Sequence, residues 1–212
     1  MCRPLFLFPN YDIIIIMNKR DELLKKIKDK VIGCKKCSLS KTRTLPVIGQ
    51  GDHNAKIMFI GEAPGLNEDK TGVPFCGQSG NILTELLNSI GLQRENVYIC
   101  NILKCRPPGN RNPQADEIKA CVSYLESQIE TIKPKIIGAL GNYAVSHILK
   151  QYNLDDQIQG ISKIRGKIFE ARASFGKIRI IPLYHPAVVV YNANMKDILK
   201  EDFKILKKYN EK

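Results

Sequence analysis

Four cysteines carry the plainest chemical signal in this 212-residue chain. Cys34 and Cys37 stand at chelating spacing, and Cys105 and Cys121 form a second pair with fifteen residues between them. Thiolates are metal and cluster ligands. A zinc ribbon would use two close C-x₂-C knuckles, so the second pair departs from that pattern, whereas an iron–sulfur cluster can gather its thiolates from distant segments. Spacing alone leaves both metals open. Cys100 falls in an apolar run and reads as core, a common fate of unpaired cysteines. Cys76 follows Phe75 in a loop with no evident role, and Cys2 belongs to the opening segment.

Three other stretches place polar and aromatic groups where a strand has just ended: residues 61–75, Asn101 with the KCRPPGNR that follows its Ile-Leu, and residues 184–191 around His185-Pro186. The first, GEAPGLNED, lacks both the G-K-[ST] ending of a phosphate loop and the dinucleotide G-x-G-x-x-G spacing, so nucleotide triphosphate chemistry is disfavoured. Its acids Glu62, Glu68 and Asp69 would repel a phosphate backbone. They suit an uncharged target such as a base or a sugar, although loop and helix capping would also use them.

Those stretches need elements to hold them, and the apolar periodicity supplies a β-α alternation. Leu23, Leu24, Ile27 and Val31 line one face of a first helix that Gly33 and the Cys34–Cys37 turn end. Residues 56–60 (KIMFI) predict a strand, and Ser79 stands as N-cap of a helix carrying Ile82, Leu83, Leu86, Leu87 and Ile90. Strands at 97–100 and 136–140 alternate with helices at 113–132 and 142–150. A hairpin-like stretch over 167–181 supplies the last strand, and Met195, Ile198, Leu199, Phe203 and Leu206 mark a closing helix. The expected fold is a single α/β domain with three α/β/α layers and a central, mainly parallel four-stranded sheet. Sites in such folds lie at the carboxyl ends of the strands.

Thirty-three Lys and Arg against 21 Asp and Glu leave a formal charge of +12. Such an excess suits a polyanion, nucleic acid first. No apolar run approaches the ~20 residues of a membrane span. Within residues 1–16, LFLF and IIII are interrupted by Pro9, Asn10 and Asp12, and no small-residue cleavage site follows. That segment reads as a leader or mis-assigned start without function, the domain as residues 17–212, and the location as intracellular, cytoplasmic or at the nucleoid.

Taken in order, GEAPGLNED, VPFCGQSGNIL, YICNILKCRPPGNRNP and YHPA, with Cys34, Cys37, Cys105 and Cys121 between them, resemble the family-four uracil-DNA glycosylases from about Cys34 to the final helix. The resemblance implies a four-iron, four-sulfur cluster held by those four cysteines in a structural role. It makes Phe75 the ring on which a flipped uracil stacks and Asn101 the reader of its edge, in a pocket lined also by Ala63. An amide matches uracil's O4 acceptor and N3–H donor side by side. His185 resembles the catalytic histidine, an N–H donor aimed at charge developing on O2. Glu62 and Glu68 match acidic positions of the first motif. Ala63 falls where family-one enzymes, by likeness of GEAPG to GQDPY, carry a water-activating Asp.

Gly77, Ser79 and Gly80 resemble a phosphate-contacting loop at a helix N-terminus. Arg106, with Lys104 and Arg111, could add phosphate contacts. Val189 and Val190, between Val188 and Tyr191, could form an apolar wedge that fills the vacated stack. The implied protein is a monomeric, monofunctional glycosylase that hydrolyses the N-glycosidic bond of deoxyuridine in single- or double-stranded DNA and starts base excision repair. Its rivals are a non-catalytic iron–sulfur DNA-binding redox sensor and a related protein trapped covalently on uracil-DNA. The latter's KRRIH-like insert is missing after GNRNP.

Overall fold

Short runs with hardly a polar atom build the centre of the molecule. The computed structural model describes residues 19–209, so the reading of residues 1–16 falls outside it. Six strands form one sheet: β1 (Gln50–Gly51), β2 (Ile57–Gly61), β3 (Tyr98–Asn101), β4 (Ile136–Leu140), β5 (Phe169–Ala173) and β6 (Gly176–Leu183). Their order is β1-β3-β2-β4-β6-β5. The central four run parallel, with Phe59 opposite both Ile99 and Gly138, and Gly138 opposite Ile181. β1 and β5 close the two edges antiparallel to β3 and β6.

The expected four-stranded sheet is therefore corrected to a mixed sheet of six. All four expected strands are present and parallel. β1 is two residues with no apolar pattern, so nothing in its sequence could announce it. β5 is the first arm of the expected hairpin, an edge strand whose alternate residues are exposed, as one-sided burial allows.

Helices cover both faces of the sheet. They are α1 (Lys19–Ile32), α2 (Leu66–Thr71), α3 (Gln78–Asn88), α4 (Ala115–Ile132), α5 (Gly141–Gln151), α6 (Ile161–Ile164), α7 (Ala187–Tyr191) and α8 (Met195–Lys207). Because strand side chains alternate in direction, Met58 and Ile60 pack towards α1, α4 and α5, while Ile57 and Phe59 pack towards α3 and α8. Gly138 makes room for Phe59, whose ring stacks on Phe203 of α8 at 5.7 Å; a Cβ there would come within 2.7 Å of the Phe59 ring. The expected core stripes hold except at Leu23 and Ile198, which are partly exposed at the margins of α1 and α8. No helix among the described residues is long and apolar enough to cross a membrane.

The chain leaves β2 for the α3 face but leaves β3 and β4 for the α4–α5 face. This reversal opens a crevice beyond the carboxyl ends of the parallel strands, where α/β folds bind ligands.

Candidate functional site

That crevice is a cleft of about 570 Å³ into which all three loops singled out from the sequence descend. β2 ends on Gly61, and the lack of a side chain there is what lets the site close. A Cβ on Gly61 would lie 2.3 Å from Asn101 Oδ1 and 2.9 Å from the Phe75 ring. Asn101, the last residue of β3, is 2% exposed, yet its side chain reaches the cleft. Gly61 is a site residue that the sequence reading missed; its only signal is a glycine at the last position of an apolar strand.

Phe75 sits in the left-handed region at φ +50° and is 5% exposed. A glycine-flanked loop after Pro74 argues against core burial, yet the ring is packed on the core while also lining the cleft. α3 crowds it from behind, since a Cβ on Gly80 would come 1.7 Å from the Phe75 oxygen. Arg94 braces the same turn by donating to the Pro74 oxygen at 2.9 Å.

His185 follows β6 and lies beside Phe75, with ring centroids 5.5 Å apart. The Ala187 main-chain N–H donates to His185 Nδ1 at 3.2 Å. Nδ1 is thereby an acceptor, so the neutral ring carries its proton on Nε2. Burial pushes the imidazole down to about 4, so that at neutral pH this side chain is an uncharged N–H donor. Gly141, at φ +87°, admits it closely: a Cβ there would stand 3.2 Å from His185 Cβ.

Glu62, Ala63 and Glu68 line the same cleft, and burial raises the Glu62 carboxyl above its ordinary value. Asp69 does not join them. It is buried, and both its oxygens accept the Thr44 N–H, at 3.0 and 3.2 Å, so it secures a loop. Ser79 lines the cleft but is not a cap: α3 starts at Gln78 with Gly77 as N-cap and no side-chain cap bond. The first-turn N–H groups of α3 are therefore without a side-chain acceptor. Gly77 and Gly80 shape this turn rather than lining the cleft, Gly77 lying against Asn67.

Of the three basic residues around the second motif, only Arg111 faces the cleft, held bidentately by Glu117. That pairing keeps the Glu117 carboxyl below its usual range. Arg106 does not line the cleft but donates at 2.7 Å to Oδ1 of Asn110, which does. Lys104 is 1% exposed, which rules out the phosphate contact expected of it. Residues 187–191 form helix α7, in which Val189 packs partly against the core, Val190 is exposed, and Tyr191 is 89% exposed at the rim of the cleft.

Away from the cleft, Cys34, Cys37, Cys105 and Cys121 line one pocket between α1 and α4. Arg43 Nη1 donates to Cys105 Sγ at 3.1 Å, and the Lys104 main-chain N–H to Cys121 Sγ at 3.3 Å. Burial raises both thiols, Cys121 to about 11. Among the described residues no three His, Cys, Asp or Glu side chains gather as they would around one metal ion. Cys100 is fully buried in β3, as expected of a core residue, and Cys76 meets Thr71 Oγ1 at 3.2 Å.

The cleft can thus hold a flat heterocycle against Phe75, read its edge with an amide, and donate an N–H to an oxygen that gains charge. Residues 48–211 match the family model described as the uracil DNA glycosylase superfamily. A type-4 uracil-DNA glycosylase of Sulfurisphaera tokodaii is 48% identical over 182 residues, covering 85% of this chain and 82% of that protein. One of Archaeoglobus fulgidus is 44% identical, covering 86% and 91%, and one of Thermotoga maritima is 40% identical, covering 92% and 99%.

Proposed function

The chain belongs to the uracil DNA glycosylase superfamily, among its type-4 members, and from this we propose that it is a monofunctional uracil-DNA glycosylase acting in base excision repair. The observation that carries the reading is the convergence of Phe75, Asn101 and His185 on one cleft. A deoxyuridine rotated out of the stack lays its base on Phe75. The Asn101 amide donates to O4 and accepts from N3–H. As the bond between C1′ and N1 breaks, its electron pair passes to the base, and the anion collects at O2, where Nε2–H of His185 donates. Water adds to the cation-like sugar at C1′ and loses a proton, leaving an abasic site.

With Ala63 where a carboxylate base could have stood, catalysis in this reading rests on stabilising the leaving anion. Once the sugar is cation-like, an oriented water needs little activation. Glu62 and Glu68 orient that water and shape the pocket around the C5 edge, where thymine carries a methyl group. DNA phosphates meet the uncapped first turn of α3 at Gln78 and Ser79 and the Arg111 guanidinium. Tyr191, with Val190 before it, stands where a side chain could enter the emptied stack.

The four thiols fit a four-iron, four-sulfur cluster: they face one pocket, and two of them already accept N–H bonds. When bound, such a group supplies a cross-link between α1, the loop after β3, and α4. Saturated by thiolates, it has no open coordination position for the base or the water.

The test is incubation of the purified protein with matched uracil, thymine and cytosine oligonucleotides and quantification of free base. Uracil release with the other two bases retained is expected. DNA binding without release of any base would overturn the reading in favour of a sensor.

A further inference from the structure

Lys104 has no part in the cleft, yet its placement is costly and specific. The side chain is 1% exposed, and its Nζ donates to the main-chain oxygen of Asn101 at 2.7 Å and to Gln128 Oε1 at 2.6 Å. Both acceptors are neutral. Gln128 is itself buried, its amide donating to Ile48 O at 2.8 Å and Tyr98 Oη at 3.0 Å. Among the described residues no Asp or Glu oxygen comes within ion-pair distance of this ammonium. An apolar side chain of the same length would fill the space at less cost, because a buried unpaired charge is strongly destabilising.

The missing counter-charge lies on the other side of the residue. The Lys104 main-chain N–H donates to Cys121 Sγ at 3.3 Å, Cys105 is its neighbour in the chain, and Lys104 lines the same pocket as the four cysteines. Four thiolates around a cluster carry net negative charge. One residue therefore touches both the thiol pocket and, through the carbonyl of Asn101, the strand end that presents the base-reading amide.

We propose that Lys104 is a positioning residue that couples the two sites: its ammonium is the buried counter-ion of the thiolate cluster and the strut that holds the Asn101 main chain at the cleft. The coupling rests on the glycosylase and cluster readings above. With the thiolates assembled, the ammonium is compensated where it stands and the end of β3 is held. Without them the charge is unpaired, and its relief requires water or movement at the residue that carries Asn101.

The experiment compares full-length wild type and Lys104→Met, both loaded with cluster. In the variant the cluster's midpoint potential is expected to fall, because a positive charge that favours the reduced state has gone. Single-turnover uracil excision is expected to drop about tenfold, the size of one lost buried hydrogen bond to a charged group, with oligonucleotide affinity little changed. A lowered potential with unaltered excision would overturn the strut, and lowered excision at an unaltered potential would overturn the counter-ion. If Lys104→Met does not fold, Gln128→Glu sets a carboxylate on the same ammonium and should lower the potential likewise; an unmoved potential there overturns the proposal. Wild type lacking both cluster absorbance and uracil release would instead remove the underlying readings, and the coupling with them.

Discussion

The cleft and the cysteine pocket are built on opposite plans. The cleft is made of loops that leave three parallel strands, and its polar groups are held by backbone: Ala187 N–H fixes the His185 ring, and Gly61 lets Asn101 and Phe75 meet. The cysteine pocket lies between two helices, and its walls are joined by apolar packing and by Arg43, which donates to Cys105 Sγ at 3.1 Å, Ile32 O at 2.7 Å and Cys34 O at 3.1 Å. Leu24, Ile27 and Val31 of α1 meet the core that Leu125 and Ile129 of α4 also enter, but the pocket itself is lined by thiols, of which burial makes Cys105 and Cys121 hard to ionise. The cleft's reading and donating groups are thus set in place by the protein itself, whereas the pocket presents four thiols that a bound group would tie together. Damage should accordingly appear as lost chemistry in the first region and lost structure in the second.

The sharpest way to break that contrast is to damage one ligand and one donor. Replacing Cys105 with Ser removes a thiolate from the pocket, and the expected outcome is loss of visible cluster absorbance together with a collapse in soluble yield. Colourless wild type with one tightly bound zinc and full activity would refute the cluster. His185→Ala, in contrast, should leave yield, colour and DNA affinity near wild type while single-turnover excision falls about a hundred- to a thousandfold. That is the usual loss when one donor to a developing anion is removed, because this donor acts only in the transition state.

Asn101→Asp probes the cleft more gently, since shape is kept while the amide donor is lost. An ionised carboxylate only accepts, so it opposes O4 of uracil. A buried polar edge left unpaired costs about 1–3 kcal/mol, which predicts excision about tenfold to a hundredfold slower. Cytosine offers its N4 amino group to the carboxylate, although its N3 faces the same side chain unless a proton is shared. Matched uracil and cytosine oligonucleotides under single-turnover conditions give both numbers; unchanged uracil excision would mean that Asn101 does not read the base.

Much of this architecture was legible in the chain because burial writes strong patterns. β2 and β4 are apolar throughout and β3 is so up to Asn101, and helix stripes such as Ile82, Leu83, Leu86 and Leu87 repeat at helical spacing. What stayed hidden depends on three-dimensional proximity. β1 exists only because Gln50 and Gly51 run beside Ile99 and Tyr98, and no local property of two residues foretells that. Lys104 reads as one more basic residue in KCRPPGNR until its side chain is traced to Gln128, 24 positions along the chain. Asp69 sits one residue from Glu68 yet points to Thr44 instead of the cleft, because successive residues on a helix face different directions. The glycines at 61 and 141 work by what they omit, and that becomes visible only once Asn101, Phe75 and His185 are in place.

The smallest expected effect tests whether His185 is the neutral donor that its surroundings make it. An exposed imidazole gains its proton near pH 6.5, but burial holds this one down to about 4. Between these values the unfolded chain binds a proton that the folded chain does not, so the group's effect on stability has a definite sign. Stability is unpenalised above pH 6.5 and declines as the pH falls towards 4. Catalysis follows the folded value: the Nε2–H donor stays neutral through this window, so single-turnover excision should remain nearly level from pH 8 to about 5 and fall only on approaching 4. The Glu62 carboxyl is also titratable, and burial raises it above its ordinary value. Glu62→Gln separates the two groups, because a limb that survives this substitution belongs to His185. A midpoint near 6.5 in wild type would show instead that the ring is exposed to protonation and works as an acid, and the cleft would then lack the fixed neutral donor assigned to it.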